Sequence, residues 1–289
     1  MLLNQNDNLL LYGLTGSGKT SQLAELIKAE YAESNKPALC YLTDWGGKAP
    51  LVALANAGKA ELEIYNFTSD PFVFIDAAVQ GKRFVGGKWV TDDLAKYCLS
   101  SNESLSGMGD LALNALGRQA ANGFGGDAQK APALTIQSEG QVIKVASNSP
   151  THYGMAQRHL LEKVWQSQLL PLPVVWTAHE DVGDADSIGA QVGVKGIIGP
   201  MIAGHALTTG LPKYFVYTFR LAVSVTAAGK QHILYTERHK DGLYEALANN
   251  RAPLGTKIVV PGKVQPANLV QVLQRIQEAK AEEKAGLKR

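Results

Sequence analysis

Short apolar runs alternate with amphipathic segments along the first part of the chain. An apolar run at 8–12 is followed by a segment, 19–33, in which apolar residues recur at the spacing of one helix face. Further apolar runs at 38–43 and 61–67 are typical of buried strands. Because parallel strands need a crossover between them, usually a helix, this opening predicts a parallel unit of strand, helix and strand.

The same alternation continues through the middle of the sequence. Runs at 95–104 and 171–180 begin apolar and become polar at their C-terminal ends, and helical patterns near 109–119 and 153–170 lie between them. Strands that alternate with helices are typical of proteins with helices on both faces of a sheet. We therefore predict an α/β fold with a mostly parallel, doubly wound sheet.

The last third of the sequence has a different pattern. Two long strand-like runs, 214–225 and 231–239, are separated by the turn-like segment TAAGK, which indicates an antiparallel hairpin appended to the sheet. From 265 to 289 apolar residues again recur at helical spacing before a charged end. This segment predicts a C-terminal helix that docks on the domain.

These patterns divide the chain into one domain and one extension. We predict a single α/β domain over 1–262, followed by a helix and charged tail over 263–289. Two Gly-rich segments, near 120–149 and 181–213, interrupt the domain, and the first of them includes a short hairpin pattern. We predict that both are flexible insertions, because loops of this length in a compact domain are usually functional or mobile.

Composition narrows the class of protein. The net charge of +2 gives no electrostatic argument for a nucleic-acid partner. Cys40 and Cys98 lie in strand-like runs, which favours two buried free thiols in a reducing compartment. With neither an apolar run of membrane-spanning length nor a secretory leader in the sequence, we expect a cytoplasmic protein with no membrane partner.

A phosphate-binding motif connects the first predicted strand to the first predicted helix. The segment GLTGSGKT matches the P-loop pattern G-x-x-x-x-G-K-[ST], whose glycines let backbone N–H groups wrap around phosphate oxygens. Lys19 supplies a charge for the outer phosphates, and the Thr20 hydroxyl is placed to ligate magnesium. The motif therefore predicts ATP and Mg2+ as cofactors. The residues predicted to contact the nucleotide are Gly13, Leu14, Thr15, Gly16, Ser17, Gly18, Lys19, Thr20 and Ser21.

Hydrolysis of a nucleotide also needs an acid near the metal and a group that orients the attacking water. Glu103 ends a predicted strand and is the candidate acid and second metal ligand; the alternative is a solvated loop residue. Asp44, in TDWGG after the second strand, either reaches the water beside the γ-phosphate or caps the following turn. His179, in WTAHE, is a candidate γ-phosphate sensor or a structural hydrogen-bond donor.

The order of five sequence blocks resembles one family. The blocks are LYGLTGSGKT, LCYLTDWGG, NESLSGMGD, VVWTAHED and IIGPMIAGHALTTGLPKYF, and together they are similar to RecA-like P-loop ATPases encoded by bacteriophages, a group of nucleotide-binding or AAA-domain proteins, over roughly 9–253. The resemblance implies a RecA-like fold, magnesium-dependent ATP hydrolysis and the candidate roles given above. RecA-type proteins tend to carry a catalytic glutamate just after the second strand, two positions beyond an aspartate. In this chain Asp44 matches the aspartate, but the position of the glutamate is occupied by Gly46. Either Asp44 or Glu103 substitutes for it, or turnover is slow.

The resemblance also implies contacts between subunits. RecA-like oligomers offer a cation to the nucleotide of the neighbouring subunit, and Arg238 and Lys240, in YTERHKDG, lie in the corresponding region and are candidate catalytic residues. Two residues apart on a strand, both would project to one face, as a pair acting in trans requires. The alternative is a solvated basic edge that discourages strand pairing. On the first interpretation the protein is a homo-oligomer.

Three functions remain open for such an ATPase. The first acts on DNA in phage recombination, annealing or replication, with single-stranded DNA as its partner. Against it, the Gly-rich segment that corresponds to the DNA-binding loop carries Asp181, Asp184 and Asp186 and has no aromatic residue before Lys213 to stack on bases. The second is a slow nucleotide-dependent switch or assembly factor that binds protein. The third is a DNA-packaging or remodelling motor.

Overall fold

The computed structural model describes residues 1–43, 46–64, 82–85, 88–91, 93–121, 133–138, 141–146, 150–184, 195–203, 207–227, 229–251 and 268–286. The helices in this part of the chain are α1 (Lys19–Ser34), α2 (Ala49–Asn56), α3 (Leu105–Ala121), α4 (Pro150–Ser167) and α5 (Leu269–Gly286). The strands are β1 (Asn8–Gly13), β2 (Ala38–Leu42), β3 (Ala60–Ile64), β4 (Lys82–Val85), β5 (Lys88–Thr91), β6 (Ser100–Glu103), β7 (Ala133–Ser138), β8 (Gln141–Ala146), β9 (Val174–Asp184), β10 (Gly196–Pro200), β11 (Tyr217–Thr226), β12 (Gly229–Tyr235), β13 (His239–Asp241) and β14 (Tyr244–Ala246). Within the same ranges, none of the helices combines the length and the apolarity needed to span a bilayer.

The central sheet has parallel strands in the order β3, β2, β6, β9, β1 and β11, and β12 pairs antiparallel with β11. One strand, β9, therefore separates β1, which leads into the P-loop, from β6, which ends at Glu103. This order, with the P-loop motif between β1 and α1, places the motif at the C-terminal end of a central parallel strand. The predicted fold class is confirmed: a mostly parallel α/β sheet with an antiparallel hairpin and a C-terminal helix.

Two hydrophobic clusters cover the two faces of the sheet. Leu9 and Leu11 of β1 pack with residues of α1, α2 and α5 on one face, and Leu10 and Tyr12 pack with α3 and α4 on the other. β1 is thus buried on both sides, as a central parallel strand must be. The parallel strands end together at one edge of this sandwich, which is where ligands bind in open α/β sheets.

The Gly-rich segment 181–213, predicted to be one flexible insertion, contains regular structure. β9 continues through Asp184, and β10 pairs antiparallel with this extension. At Gly196 a Cβ would lie 2.8 Å from the carbonyl oxygen of Gly183, so glycine here serves the close approach of two strands rather than flexibility. Residues 185–194 and 204–206 of the segment lie outside the described residues.

The other predicted elements differ from the structure mainly at their ends. α3 and α4 confirm the two central helices, and β7 and β8 pair as the short hairpin predicted within 120–149. The strand predicted over 95–104 is reduced to β6, because a 3₁₀ helix at Leu94–Lys96, capped by the Asp93 carboxylate, occupies the first part of the run. The predicted domain boundary after residue 262 lies outside the described residues and stays a prediction.

Candidate nucleotide-binding site

The P-loop connects β1 to α1 at the edge of the sheet where the parallel strands end. Gly16 and Gly18 have φ angles of 78° and 96°, a left-handed conformation that favours glycine. At Gly13 a Cβ would overlap with the carbonyl oxygen of Leu221 on β11, so only glycine allows the loop to start this close to the neighbouring strand. The spacing of glycines in the motif is thus explained by backbone conformation and by packing.

Lys19 is the first residue of α1, and its side chain folds back over the loop. Its ammonium group donates hydrogen bonds to the carbonyl oxygens of Gly13 at 2.9 Å and Leu14 at 3.0 Å. The residue is only 6% exposed, so its charge is held at the base of the loop. An ammonium group in this position is close enough to exchange carbonyl contacts for phosphate oxygens when a nucleotide enters.

A hydroxyl and a carboxylate meet beside the loop. Thr20 Oγ1 donates a hydrogen bond to Glu103 Oε1 at 2.9 Å. Glu103 is 2% exposed at the end of β6, so it is a buried strand-end acid and not a solvated loop residue. Both side chains offer oxygen atoms, the ligands that Mg2+ prefers in proteins. Mg2+ usually completes its coordination with water and substrate phosphates.

Gly47, in the TDWGG segment, comes close to the same pair. A Cβ at this position would lie 2.7 Å from Thr20 Oγ1 and 3.8 Å from Glu103 Oε1. The absence of a side chain therefore leaves room beside the hydroxyl and the carboxylate. This space and the two oxygen ligands fit a magnesium ion held by Thr20 and Glu103.

A cavity of about 570 Å³ opens over the loop, within the size range of small-molecule and cofactor sites. Besides P-loop residues it is lined by parts of the TDWGG segment, by the buried acid and by two histidines. Its lining residues are Thr15, Gly16, Gly18, Lys19, Thr20, Ser21, Gly46, Gly47, Ala49, Pro50, Glu103, His179 and His232. Six of the predicted nucleotide contacts, Lys19 among them, thus face one space together with two further predicted site residues, Glu103 and His179.

His179 lies on β9, directly opposite Gly13 of β1 in the strand register. Its Nδ1 is 3.3 Å from Thr15 Oγ1, so the ring faces the P-loop. Its backbone N–H donates to Ser106 Oγ at 2.9 Å, and Ser106 in turn donates to the carbonyl oxygen of Met201. β9 and α3 therefore position His179 beside the P-loop.

His232, on β12, was not predicted from the sequence. Its Nδ1 lies 2.8 Å from the carbonyl oxygen of Ser17, and because a carbonyl can only accept, Nδ1 carries the proton in this contact. The alternation along the strand places His232 opposite in direction to Ile233, which is buried. Nothing in that pattern indicates that the exposed face lies against the P-loop, which is why sequence reasoning missed this residue.

Three predicted catalytic residues are left: Asp44, Arg238 and Lys240. Asp44 is outside the described residues. Arg238 and Lys240 belong to the segment around β13 and do not line the cavity of their own chain. Arg238 Nε forms an ion pair with Glu245 Oε1 at 3.2 Å, and Lys240 is exposed. The structure thus brings Lys19, Glu103 and His179 together, without these two cations.

Comparisons with known proteins found similarity to solved structures but none to family models or curated sequences. Among solved structures, the chain is similar to a KaiC-like protein from the hyperthermophilic archaeon Pyrococcus horikoshii OT3, with 11% sequence identity and a TM-score of 0.42. The similarity covers 80% of this chain and 78% of that one. A likeness this distant does not extend to activity, substrates or partners.

The chemistry available at the site follows from its side chains. Lys19 and the backbone N–H groups of a P-loop at a helix N-terminus attract phosphate oxygens. Thr20 and Glu103 form an oxygen pair of the kind that binds magnesium. His179 lies beside the loop and adds a ring nitrogen that can donate or accept a hydrogen bond. Together these groups can hold a metal-bound nucleoside triphosphate and place its terminal phosphate near an acid.

Proposed function

We propose that this protein is a magnesium-dependent ATPase. The observation that carries the proposal is the 2.9 Å hydrogen bond from Thr20 to the buried Glu103, within the cavity over the P-loop. A phosphate loop can bind anions alone, but a strand-end carboxylate next to the P-loop hydroxyl is the arrangement that recruits magnesium. Magnesium, when bound, neutralises charge on the phosphates and orients them for attack by water.

Each residue of the site has a role in this proposal. Lys19 and the loop N–H groups bind the β- and γ-phosphates, and Thr20 and Glu103 hold the metal. His179 contacts the γ-phosphate and senses its loss. Glu103 or Asp44 orients the attacking water, since Gly46 stands where a catalytic glutamate would be expected.

The test is ATP binding and hydrolysis by purified protein with and without Mg2+. Lys19→Ala should abolish binding or reduce turnover by on the order of a hundredfold or more, because it removes the charge that holds the outer phosphates. Lys28→Ala is the matched control, since Lys28 lies exposed on the same helix and pairs with Glu25. Equal turnover by the two variants, or turnover indifferent to chelation of magnesium, would contradict the proposal.

We also propose that the ATPase works as a homo-oligomer. Arg238 and Lys240 lie near an exposed strand and outside the cavity of their own chain, which is compatible with action on the nucleotide of a neighbouring subunit. Mixing inactive Lys19→Ala and Arg238→Ala subunits should then restore part of the activity, since some interfaces receive one intact residue of each kind. Full activity of Arg238→Ala alone would rule out the trans role.

For the pathway, we propose action on DNA in the bacterial cytoplasm during phage recombination, annealing or replication. The support is the sequence resemblance to phage-encoded RecA-like ATPases. ATP hydrolysis should rise with single-stranded DNA, and the stimulation should fade as salt increases, because phosphate contacts are salt-sensitive. A slow rate indifferent to DNA would instead favour a nucleotide-dependent switch that binds protein, which the glycine at position 46 already favours.

A further inference from the structure

A buried arginine connects distant strands on the face of the sheet opposite α1. Arg220 of β11 has a side chain only 5% exposed. Its Nε and Nη2 donate to the two carboxylate oxygens of Glu180 at 3.0 and 3.3 Å, and its Nη1 donates to Asp241 Oδ2 at 2.7 Å. Glu180 belongs to β9 and Asp241 to β13, so one guanidinium holds three strands together.

These contacts require the sheet to fold back on itself. In the sheet, β1, β9, β10 and β14 separate β11 from β13, yet Arg220 and Asp241 touch. Tyr12 of β1 shows the same overlap, because its hydroxyl lies in hydrogen-bond contact with the carbonyl oxygens of Ile198 and Leu247. The β13–β14 hairpin therefore lies over the strand that leads into the P-loop.

A histidine completes the cluster around Arg220. His239 Nε2 lies 3.1 Å from Arg220 Nη1, and because a guanidinium can only donate, Nε2 accepts. Its Nδ1 is 3.2 Å from the carbonyl oxygen of Glu237 and donates to it, so the ring is neutral. The imidazole also stacks on Tyr235, with ring centroids 3.6 Å apart. We call Arg220, Glu180, Asp241 and His239 the Arg220 cluster.

Members of the Arg220 cluster are sequence neighbours of residues in the proposed ATPase machinery. Glu180 directly follows His179, whose ring faces the P-loop. Asp241 and His239 alternate along the chain with Arg238 and Lys240, the proposed trans-acting cations. A displacement of β9 at His179 could therefore reach the β13–β14 hairpin through the Arg220 side chain, in addition to the pairing of β9 with β10 and of β10 with β14.

We propose that Arg220 is a positioning residue that couples the nucleotide site to the β13–β14 hairpin, so that the hairpin is held in place when a γ-phosphate is bound. The inference rests on the proposed ATPase function. The rigid guanidinium of Arg220 holds the carboxylates of Glu180 and Asp241 in a fixed geometry. Such a contact transmits displacement better than a flexible one does. A purely structural cluster would hold the hairpin equally well with and without nucleotide.

The test is hydrogen exchange of the whole protein, followed by mass spectrometry, without nucleotide, with Mg2+ and ADP, and with Mg2+ and a slowly hydrolysed ATP analogue. The proposal predicts that the analogue, but not ADP, slows exchange in peptides covering β13 and β14 by about threefold or more, as expected when local opening is suppressed. Protection of peptides covering the P-loop reports nucleotide binding independently. If the P-loop is protected and the hairpin does not respond, the coupling is wrong while the ATPase proposal stands. If neither responds, the ATPase proposal fails and the coupling with it.

Variants separate coupling from stability. Asp241→Asn removes the charge of the half-exposed carboxylate that pairs Arg220 with the hairpin, and it should weaken the response of the hairpin while the P-loop remains protected. Arg220→Lys keeps the charge but loses the fork geometry, and it should weaken the same response. Arg275→Gln is the matched control, because Arg275 also pairs with two carboxylates but lies exposed on α5. An unchanged hairpin response in Asp241→Asn would overturn the proposal.

Discussion

Charged side chains on the two faces of the sheet have different kinds of partner. On the face covered by α1, Lys19 donates to two loop carbonyls and Glu103 accepts from Thr20, and both lie beside a cavity. On the opposite face the charge of Arg220 is met by two carboxylates of the same chain, away from that cavity. The first arrangement can exchange its contacts for those of a ligand, whereas the second already satisfies its charges and holds strands in place. The comparison separates groups that bind from groups that position.

The largest effect should be the loss of stability when Arg220, which holds the strands in place, is replaced. Arg220→Ala leaves Glu180, whose side chain is only 10% exposed, without its cation, and breaking a largely buried ion pair in this way costs about 3–5 kcal/mol in the free energy of unfolding. Urea denaturation would measure the loss. Arg275→Ala, at an exposed ion pair, should not change the denaturation midpoint measurably. Similar midpoints for the two variants would show that the Arg220 cluster does not hold the strands together.

On the binding side, Glu103→Gln should separate binding from turnover. The amide keeps the size of the side chain but loses the charge that holds magnesium or activates water, so kcat should fall on the order of a hundredfold. ATP binding, measured by calorimetry, should persist. Parental turnover in this variant would remove Glu103 from the mechanism and leave Asp44 as the acid.

Gly47→Ala should produce a smaller effect, a loss of magnesium affinity. The added methyl group would lie 2.7 Å from Thr20 Oγ1, so we expect the magnesium concentration needed for half-maximal hydrolysis to rise by about tenfold, equivalent to about 1.4 kcal/mol. Gly210→Ala is the control, because a Cβ there meets no atom within 4 Å and the backbone φ is −88°. If both variants need the same magnesium concentration, Gly47 does not border the metal site.

The smallest effect concerns pH. Burial, together with the positive charge of Arg220, lowers the pKa of His239 below its usual 6.5. The folded protein therefore resists protonation of this ring, and its contribution to stability, complete above pH 6.5, is lost as pH falls from there through the lowered pKa. His239→Gln should flatten the dependence of unfolding free energy on pH over that range. A pH dependence identical to that of the parent protein would contradict the neutral, accepting role of His239.

The site over the P-loop could be predicted from the sequence, whereas the Arg220 cluster could not. The P-loop is a local motif, and the alternation of strands and helices indicated a parallel sheet whose strand ends meet at one edge, so the meeting of Lys19, Glu103 and His179 was foreseeable. The Arg220 cluster depends on how far the sheet folds back, which no local pattern encodes. In sequence, Gly196 looked like part of a flexible loop, because its role is the close approach of β10 to β9, which the composition of the segment does not reveal.

The contact between His232 and Ser17 allows the conformation of the P-loop to be followed without measuring catalysis. A ring N–H hydrogen bonded to a P-loop carbonyl should exchange with solvent more slowly than that of an exposed imidazole and should have its own nuclear magnetic resonance signal. Any ligand that reorients the Ser17 carbonyl would shift that signal. One histidine thus provides a built-in reporter with which candidate nucleotides can be ranked without an assay of turnover.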